Sequence, residues 1–182
     1  FQQEAEMRIA RSVEVLEAYT PGEQPKAKNV VKLNTNENPY LPSPKCTEVL
    51  KDYDLDALRR YPDPVFSALR TRIAKMWKTV PERVFVGNGS DEILTLAAKA
   101  FVEDEEAIGS LDPSYSLYRT LAAIRNVPFV PSPLAADFTW QKPVLEAEGK
   151  KVSLFLLTNP NAPTGVSEAE DINFIESIVA AN

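Results

Sequence analysis

The segment Val84-Phe85-Val86-Gly87-Asn88-Gly89-Ser90-Asp91-Glu92-Ile93 is the first place where residue types and spacing point to chemistry. It reads as a strand, a glycine turn and a helix. Gly87 and Gly89 permit a tight turn, and the N–H groups of the helix's first turn have no intrahelical acceptor. With the helix dipole added, such a turn favours a bound phosphate, and Gly89, Ser90 and Asp91 are its candidate donors. Ordinary capping competes for the same residues, because Ser90 and Asp91 are both good N-caps. A P-loop is excluded, since the Gly-Lys-Ser/Thr ending is missing, and position 92 is Glu where the dinucleotide fingerprint needs a small residue.

A second segment, Asp112-Pro113-Ser114-Tyr115-Ser116-Leu117-Tyr118, directly follows an apolar run around Ile108. Ligands of open α/β sheets lie beyond the carboxyl ends of the strands, so this loop and the Gly89 turn are expected to border one crevice. A tyrosine there can stack on a planar ring, and Tyr115 is the better candidate; Tyr118 reads as a packing residue at a helix start. The third segment, Leu157-Thr158-Asn159-Pro160-Asn161-Ala162-Pro163-Thr164-Gly165, again follows a buried apolar strand. Two X-Pro bonds within four residues stiffen the loop and favour a cis peptide. Asn159 or Asn161 could then hold a ring hydroxyl or an oxyanion.

These loops need a scaffold, and the hydrophobic periodicity supplies one. Helices are expected at 4–18, 44–53, 65–78, 91–102, 115–125 and 168–181, with strands at 30–33, 83–87, 106–110, 127–131 and 152–157. From residue 65 onward, strands alternate with helices long enough to cross over, which predicts an α/β fold with a mostly parallel sheet flanked by helices. Asn34, Asn36 and Asn38, in Asn34-Thr35-Asn36-Glu37-Asn38-Pro39, favour turns, because their side chains bond nearby backbone and tolerate left-handed dihedrals. Tyr61-Pro62-Asp63-Pro64 reads as a linker. The expected division is an N-terminal arm with a small-domain segment over 1–55 and part of a large domain over 56–182.

Composition narrows the chemistry further. The 182 residues carry a net charge of −6, which disfavours nucleic-acid and anionic-membrane partners, so any anion site must be local. Histidine is absent and Cys46 is the one cysteine; zinc sites, histidine triads and an internal disulfide drop out. Charged residues interrupt the N-terminal apolar positions, so no signal peptide or membrane anchor is expected and a cytoplasmic location follows. Position 1 is not Met, and the last helix pattern stops at Asn182, so the chain reads as a fragment.

Taken with Tyr19-Thr20-Pro21-Gly22, Leu33-Asn34-Thr35-Asn36-Glu37-Asn38-Pro39 and Arg60-Tyr61-Pro62-Asp63, the three segments resemble the pyridoxal-phosphate-dependent aminotransferases of fold type I. Within that family they are most similar to the branch that acts on histidinol phosphate. The resemblance implies pyridoxal 5'-phosphate as cofactor, its phosphate held by backbone amides and the hydroxyl around Gly89, Ser90 and Asp91. It implies that Tyr115 stacks on the pyridine ring, that an asparagine of the Asn161 loop bonds the ring hydroxyl, and that Tyr61 reaches the neighbouring subunit's cofactor phosphate across a homodimer interface. Tyr19 and Asn36 correspond to substrate-binding positions. The implied reaction moves an amino group between an amino-acid or amino-alcohol phosphate and 2-oxoglutarate or glutamate in histidine biosynthesis. Rival expectations are an aromatic aminotransferase, a threonine-phosphate decarboxylase, or a non-catalytic binding module.

Two departures stand out. Relatives often read Asn-Asn-Pro-Thr-Gly, whereas this chain has Asn161-Ala162-Pro163-Thr164-Gly165. The family's Asp-x-Ala-Tyr segment and its cofactor-bearing lysine are not found within 1–182, so the chain alone is expected to be inactive. Ser43-Pro44-Lys45 superficially matches a Ser-x-Lys pair but precedes the phosphate turn, and Lys45 is expected to be solvated.

Overall fold

In a computed structural model the described residues are 8–17, 22–23, 25–27, 29–167 and 172–181. In chain order the elements are α1 (Arg11–Glu14), α2 (Pro44–Lys51), α3 (Ser67–Met76), α4 (Gly89–Phe101), β1 (Ala107–Asp112), α5 (Leu117–Arg125), β2 (Phe129–Pro133), β3 (Glu146–Ala147), β4 (Lys150–Leu156) and α6 (Ile172–Ala181). Short 3-10 turns cover Leu55–Arg59 and Pro81–Arg83. The chain divides into two compact units, one of residues 87–182 with 1–17 and one of residues 18–86.

In the first unit the sheet order is β2-β1-β4-β3. Strand β1 runs parallel to both β2 and β4, and β3 pairs antiparallel with β4. The mostly parallel α/β sheet expected from the alternating pattern is therefore present. Helix α5 returns the chain from β1 to the parallel β2, α4 leads into β1, and the apolar stripes of these two helices make the core. Ala98 of α4 and Val102 just after it pack with Ile108 of β1, with Tyr118, Leu121 and Ala122 of α5, and with Leu156 of β4. Each large apolar side chain buried this way contributes roughly 1.5–3 kcal/mol. On the sheet's other face Ala107, Val130 and Val152 form a second cluster, and Leu111 with Trp140 a third that Ile178 of α6 joins. Gly109 lets strands meet closely: a Cβ there would lie 2.9 Å from Val152 Cγ1 and 3.0 Å from Phe155 Cδ2.

Several expected elements differ. The strands expected at 30–33 and 83–87 form no ladder among the described residues, and Arg83 belongs to a 3-10 turn, because a strand exists only where a second strand meets its backbone groups. Of the helix expected over 4–18, Arg11–Glu14 is helical and residues 1–7 and 18 lie outside the described residues. This helix buries none of its residues, and short helices persist only where packing supports them. Helix α4 begins at Gly89, two residues earlier than expected. Strand β3 lies where the sequence pattern predicts no strand; Glu148 (φ 54°) and Gly149 (φ 74°) both take the left-handed conformations that a two-residue hairpin to β4 requires.

In the second unit, the Asp63 carboxylate accepts from Val65 N–H (3.1 Å) and Ser67 N–H (2.6 Å) at the start of α3. The Val65 bond first, then those from Ser67, hold this carboxyl below its ordinary value of 3.8. Arg70 donates from Nε and Nη2 to the Pro81 carbonyl at 3.0 and 2.7 Å, fixing the chain that leads out of α3. No helix among the described residues is long and apolar enough to cross a membrane.

Candidate active site

The phosphate turn has the local geometry its sequence suggested, with one revision. Because α4 starts at Gly89, Ser90 and Asp91 lie inside its first turn, and Asn88 is the N-cap residue. Asn88 makes no side-chain capping bond. Its own N–H donates to Glu92 Oε2 at 2.6 Å, and Gly89 N–H donates to the Gly87 carbonyl at 3.1 Å. Gly89 holds φ +77°, and no heavy atom lies within 4 Å of the place a Cβ would take. The turn is thus open above an exposed helix start that no cap side chain closes, and it suits a small anion. Gly87 meets the helix closely instead: a Cβ there would lie 2.6 Å from Ile93 Cδ1 and 2.8 Å from Glu92 Oε2.

The loops after β1 and β4 are fastened to each other. Asn161 is 1% exposed, and its amide joins both. Its Oδ1 accepts from Ser114 Oγ at 2.8 Å, while its Nδ2 donates to the Pro113 carbonyl at 3.0 Å and to Thr164 Oγ1 at 3.1 Å. Asn161 N–H donates to the Val166 carbonyl (2.8 Å), and its carbonyl accepts from Gly165 N–H (2.7 Å). The peptide bonds before Pro113, Pro160 and Pro163 are cis. Both amide hydrogens of Asn161 are committed within the protein, so its side chain could reach a ligand oxygen as donor only by giving up one of these bonds. Asn159 Oδ1 accepts from Ser167 Oγ at 3.0 Å.

Tyr115 and Tyr118 differ as the sequence suggested. Tyr118 is buried in the α4–α5–sheet core, whereas Tyr115 is 42% exposed. The two rings meet edge to face, with centroids 5.7 Å apart and planes at 89°. The Tyr118 hydroxyl shares a hydrogen bond with Thr158 Oγ1. Asp112, closing β1, pairs with Arg119 at 2.9 Å, and the Arg119 guanidinium lies 4.5 Å from the centre of the Phe129 ring. Ser114, Thr158 and Thr164 were missed at the sequence level; their one signal is that they are hydroxyl residues in the same two loops as Asn161 and Tyr115.

The structure thus brings the Asn161 loop onto the Ser114–Tyr115 loop at the carboxyl ends of β4 and β1. The Val102 carbonyl, just past the end of α4, accepts from Arg125 Nη2 at the end of α5 (2.6 Å), so the two packed helices end together, and the Gly89 turn lies at the end of the sheet where α5 starts. Asn36 and Tyr61 belong to the other unit. Asn36 takes a left-handed φ of 52° in a turn where Asn34 Nδ2 donates to the Glu23 carbonyl and Asn38 Oδ1 accepts from Tyr40 N–H. Nearby, the hydrogen bond and charge of Lys32 hold the Glu37 carboxyl below its ordinary range. Tyr61 is fully exposed. Lys45 is exposed in α2. Tyr19 lies outside the described residues.

Comparison with known proteins bears on this arrangement. The family model described as aminotransferase class I and II matches residues 28–177. Histidinol-phosphate aminotransferase 2 of Burkholderia mallei is 44% identical over 173 residues, covering 93% of this chain and 47% of that protein. Histidinol-phosphate aminotransferase of Clostridium botulinum is 45% identical over 152 residues, covering 83% of this chain and 42% of that protein. The chain therefore spans about half the length of the curated relatives it matches. Among solved structures, histidinol-phosphate aminotransferase from Sinorhizobium meliloti in complex with pyridoxal-5'-phosphate superposes with TM-score 0.71 at 21% identity, over 96% of this chain and 49% of that one. Alanine aminotransferase from Pyrococcus furiosus gives TM-score 0.58 at 23% identity, over 74% and 35%. These structural likenesses show a shared fold.

Proposed function

The chain belongs to the class I and II aminotransferases, and from that premise we propose that it is the cofactor-phosphate-binding part of a pyridoxal-phosphate-dependent aminotransferase acting on histidinol phosphate and 2-oxoglutarate. The observation that carries this reading is the uncapped, open α4 start at Gly89 beside the half-exposed Tyr115 ring at the start of α5, the two helices being tied at their other ends by the Arg125–Val102 bond. Histidine biosynthesis and a cytoplasmic location belong to the same proposal, supported by the names of the relatives.

The residues present suit the cofactor. Gly89, through the space its missing side chain leaves, and Ser90 and Asp91, through backbone N–H groups and the Ser90 hydroxyl, would hold its phosphate, and the helix dipole adds to the attraction. Tyr115 would lie against the pyridine ring. Asn161 would serve the site mainly by holding the Ser114–Tyr115 loop, since its amide hydrogens are already donated; its Oδ1 and the neighbouring Asn159 remain the acceptors on that loop. When bound, pyridoxal phosphate supplies an electron sink for bond changes at the amino-bearing carbon. Tyr19 and Asn36 are the substrate-binding positions in this reading, with residues 1–55 as arm and small-domain segment and 56–182 as part of the large domain.

Turnover further needs an activated lysine, and a surface lysine near its ordinary pKa of ~10.4 is mostly protonated at neutral pH. Lys45 is exposed in α2 and is assigned no catalytic role. The test compares full-length protein with the isolated 182-residue chain on histidinol phosphate, phenylalanine and threonine phosphate. The full-length protein is expected to transfer the amino group of histidinol phosphate to 2-oxoglutarate in preference to that of phenylalanine, with no decarboxylation of threonine phosphate, and the isolated chain to show no turnover. Preference for either competitor rejects the substrate assignment, and turnover by the isolated chain rejects its inactivity.

Homodimerisation through Tyr61 is part of this proposal, supported by its complete exposure beside the proline-fixed Tyr61-Pro62-Asp63-Pro64 segment. A mixed dimer pairing a Tyr61→Phe subunit with a Ser90→Glu subunit is expected to recover about half of wild-type activity per dimer, because one site then collects both defects and the other none. If Tyr61 served its own subunit, every site would carry one defect and purified mixed dimers would gain nothing over the parents.

A further inference from the structure

We propose that Tyr118 and Thr158 are positioning residues that set the plane of the Tyr115 ring, and through it the orientation of a planar ligand ring; this rests on the stacking role proposed for Tyr115. Tyr115 sits in the loop before α5 and is 42% exposed, so its ring plane is not set by burial and depends on the groups that the ring meets. The neighbouring ring of Tyr118 meets it at 89° and 5.7 Å, an edge-to-face contact whose attraction depends on the relative ring planes. Tyr118 is therefore able to orient Tyr115 to the extent that Tyr118 is itself fixed.

Two separate constraints fix it. Its side chain is 5% exposed and belongs to the buried cluster that includes Ala98, Leu121, Ala122 and Leu156, which resists translation. Packing alone would be met equally by phenylalanine, and a buried hydroxyl costs free energy unless it is bonded. The hydroxyl is bonded, to Thr158 Oγ1 at the start of the loop after β4, so the ring is held at its far end as well. The same Tyr118 donates its N–H to the Tyr115 carbonyl at 3.1 Å, which ties the Tyr115 backbone to the first turn of α5. The bond from Tyr118 in α5 to Thr158 adds to the link that Ser114 and Asn161 make between the loops after β1 and β4. Tyr115 is thus carried on a loop braced on both sides, with the Tyr118 ring as its angular reference.

The test uses the full-length protein with Tyr118→Phe, Thr158→Val and the double variant, all close in shape to the wild type, and Tyr115→Ala as control. Pyridoxal phosphate affinity, the induced circular dichroism of the bound cofactor and the melting temperature without cofactor are measured together. Each single variant is expected to weaken pyridoxal phosphate binding roughly three- to tenfold, the worth of one hydrogen bond, and to change the induced dichroism. The double variant should match the singles, since either change breaks the same bond, and affinity for inorganic phosphate should stay at the wild-type value. If only the melting temperature falls while affinity and dichroism hold, the pair is merely structural and the proposal is overturned. If Tyr115→Ala weakens cofactor binding while Tyr118→Phe does not, positioning fails and stacking stands. An unchanged affinity in Tyr115→Ala overturns both.

Discussion

Ser90→Glu is expected to weaken pyridoxal phosphate binding by about 100-fold in the full-length protein, the largest effect of any single change at this site. Ser90 is in the first turn of α4, which begins at Gly89 without a side-chain cap. A glutamate there puts a carboxylate beside the place proposed for the phosphate dianion, and its oxygens can also take the N–H groups the phosphate would use. Two like charges ~4 Å apart repel by about 4 kcal/mol near a protein surface. Ser90 is exposed, and solvent screening reduces this to about 2–3 kcal/mol, which corresponds to roughly two orders of magnitude in affinity. Fold stability should change little, because an acidic group in a helix's first turn favours the helix itself. Fluorescence titration with pyridoxal phosphate, beside thermal melting of the cofactor-free protein, separates these effects. Equal affinity in wild type and variant would remove Ser90 from the phosphate site.

Asn161→Leu is expected to destabilise the protein by about 3 kcal/mol and lower its melting temperature by roughly 6–12 °C. Leucine keeps most of the volume of a residue that is 1% exposed, so the change isolates the amide's polar role. It removes the bonds to Ser114 Oγ, to the Pro113 carbonyl and to Thr164 Oγ1. These partners are themselves partly exposed and can turn to water, which holds the cost near 1 kcal/mol for each rather than the full penalty of a buried unpaired group. Because the same amide joins the loops after β1 and β4, the loop bearing Tyr115 should loosen too. Hydrogen exchange around residues 113–118 should accelerate more than in the core of β1. A loss below about 0.5 kcal/mol by chemical denaturation would mean that water replaces the amide and that the loops are held by other contacts.

The sequence by itself determined what depends on near neighbours. The amphipathic stripes of α4 and α5 and the apolar runs of β1 and β4 were legible because helix and strand periods repeat within a few residues. The Gly89 turn was legible because a left-handed φ is cheapest at glycine, and the irregular segment around Asn36 and Asn38 because asparagine tolerates a left-handed φ and bonds backbone two residues on. The sequence favoured packing for Tyr118 and a ring-stacking place for Tyr115, but both stand at a helix start, and it is the fold that buries the one and leaves the other 42% exposed. Residues 84–87 have strand-like composition yet form no ladder among the described residues, and Glu146–Ala147 became a strand through pairing with Lys151 and Lys150, because ladder bonds depend on a partner that composition does not supply. The use of Asn161 was likewise decided in three dimensions. Its own loop shows a polar residue between two prolines, open to several roles, while its partners Pro113 and Ser114 lie 48 and 47 residues away, and Thr158 lies 40 from Tyr118. Only the parallel pairing of β1 with β4 brings their carboxyl ends together, and a hydrogen bond of about 3 Å cannot be assigned until the fold has set which groups fall within that reach.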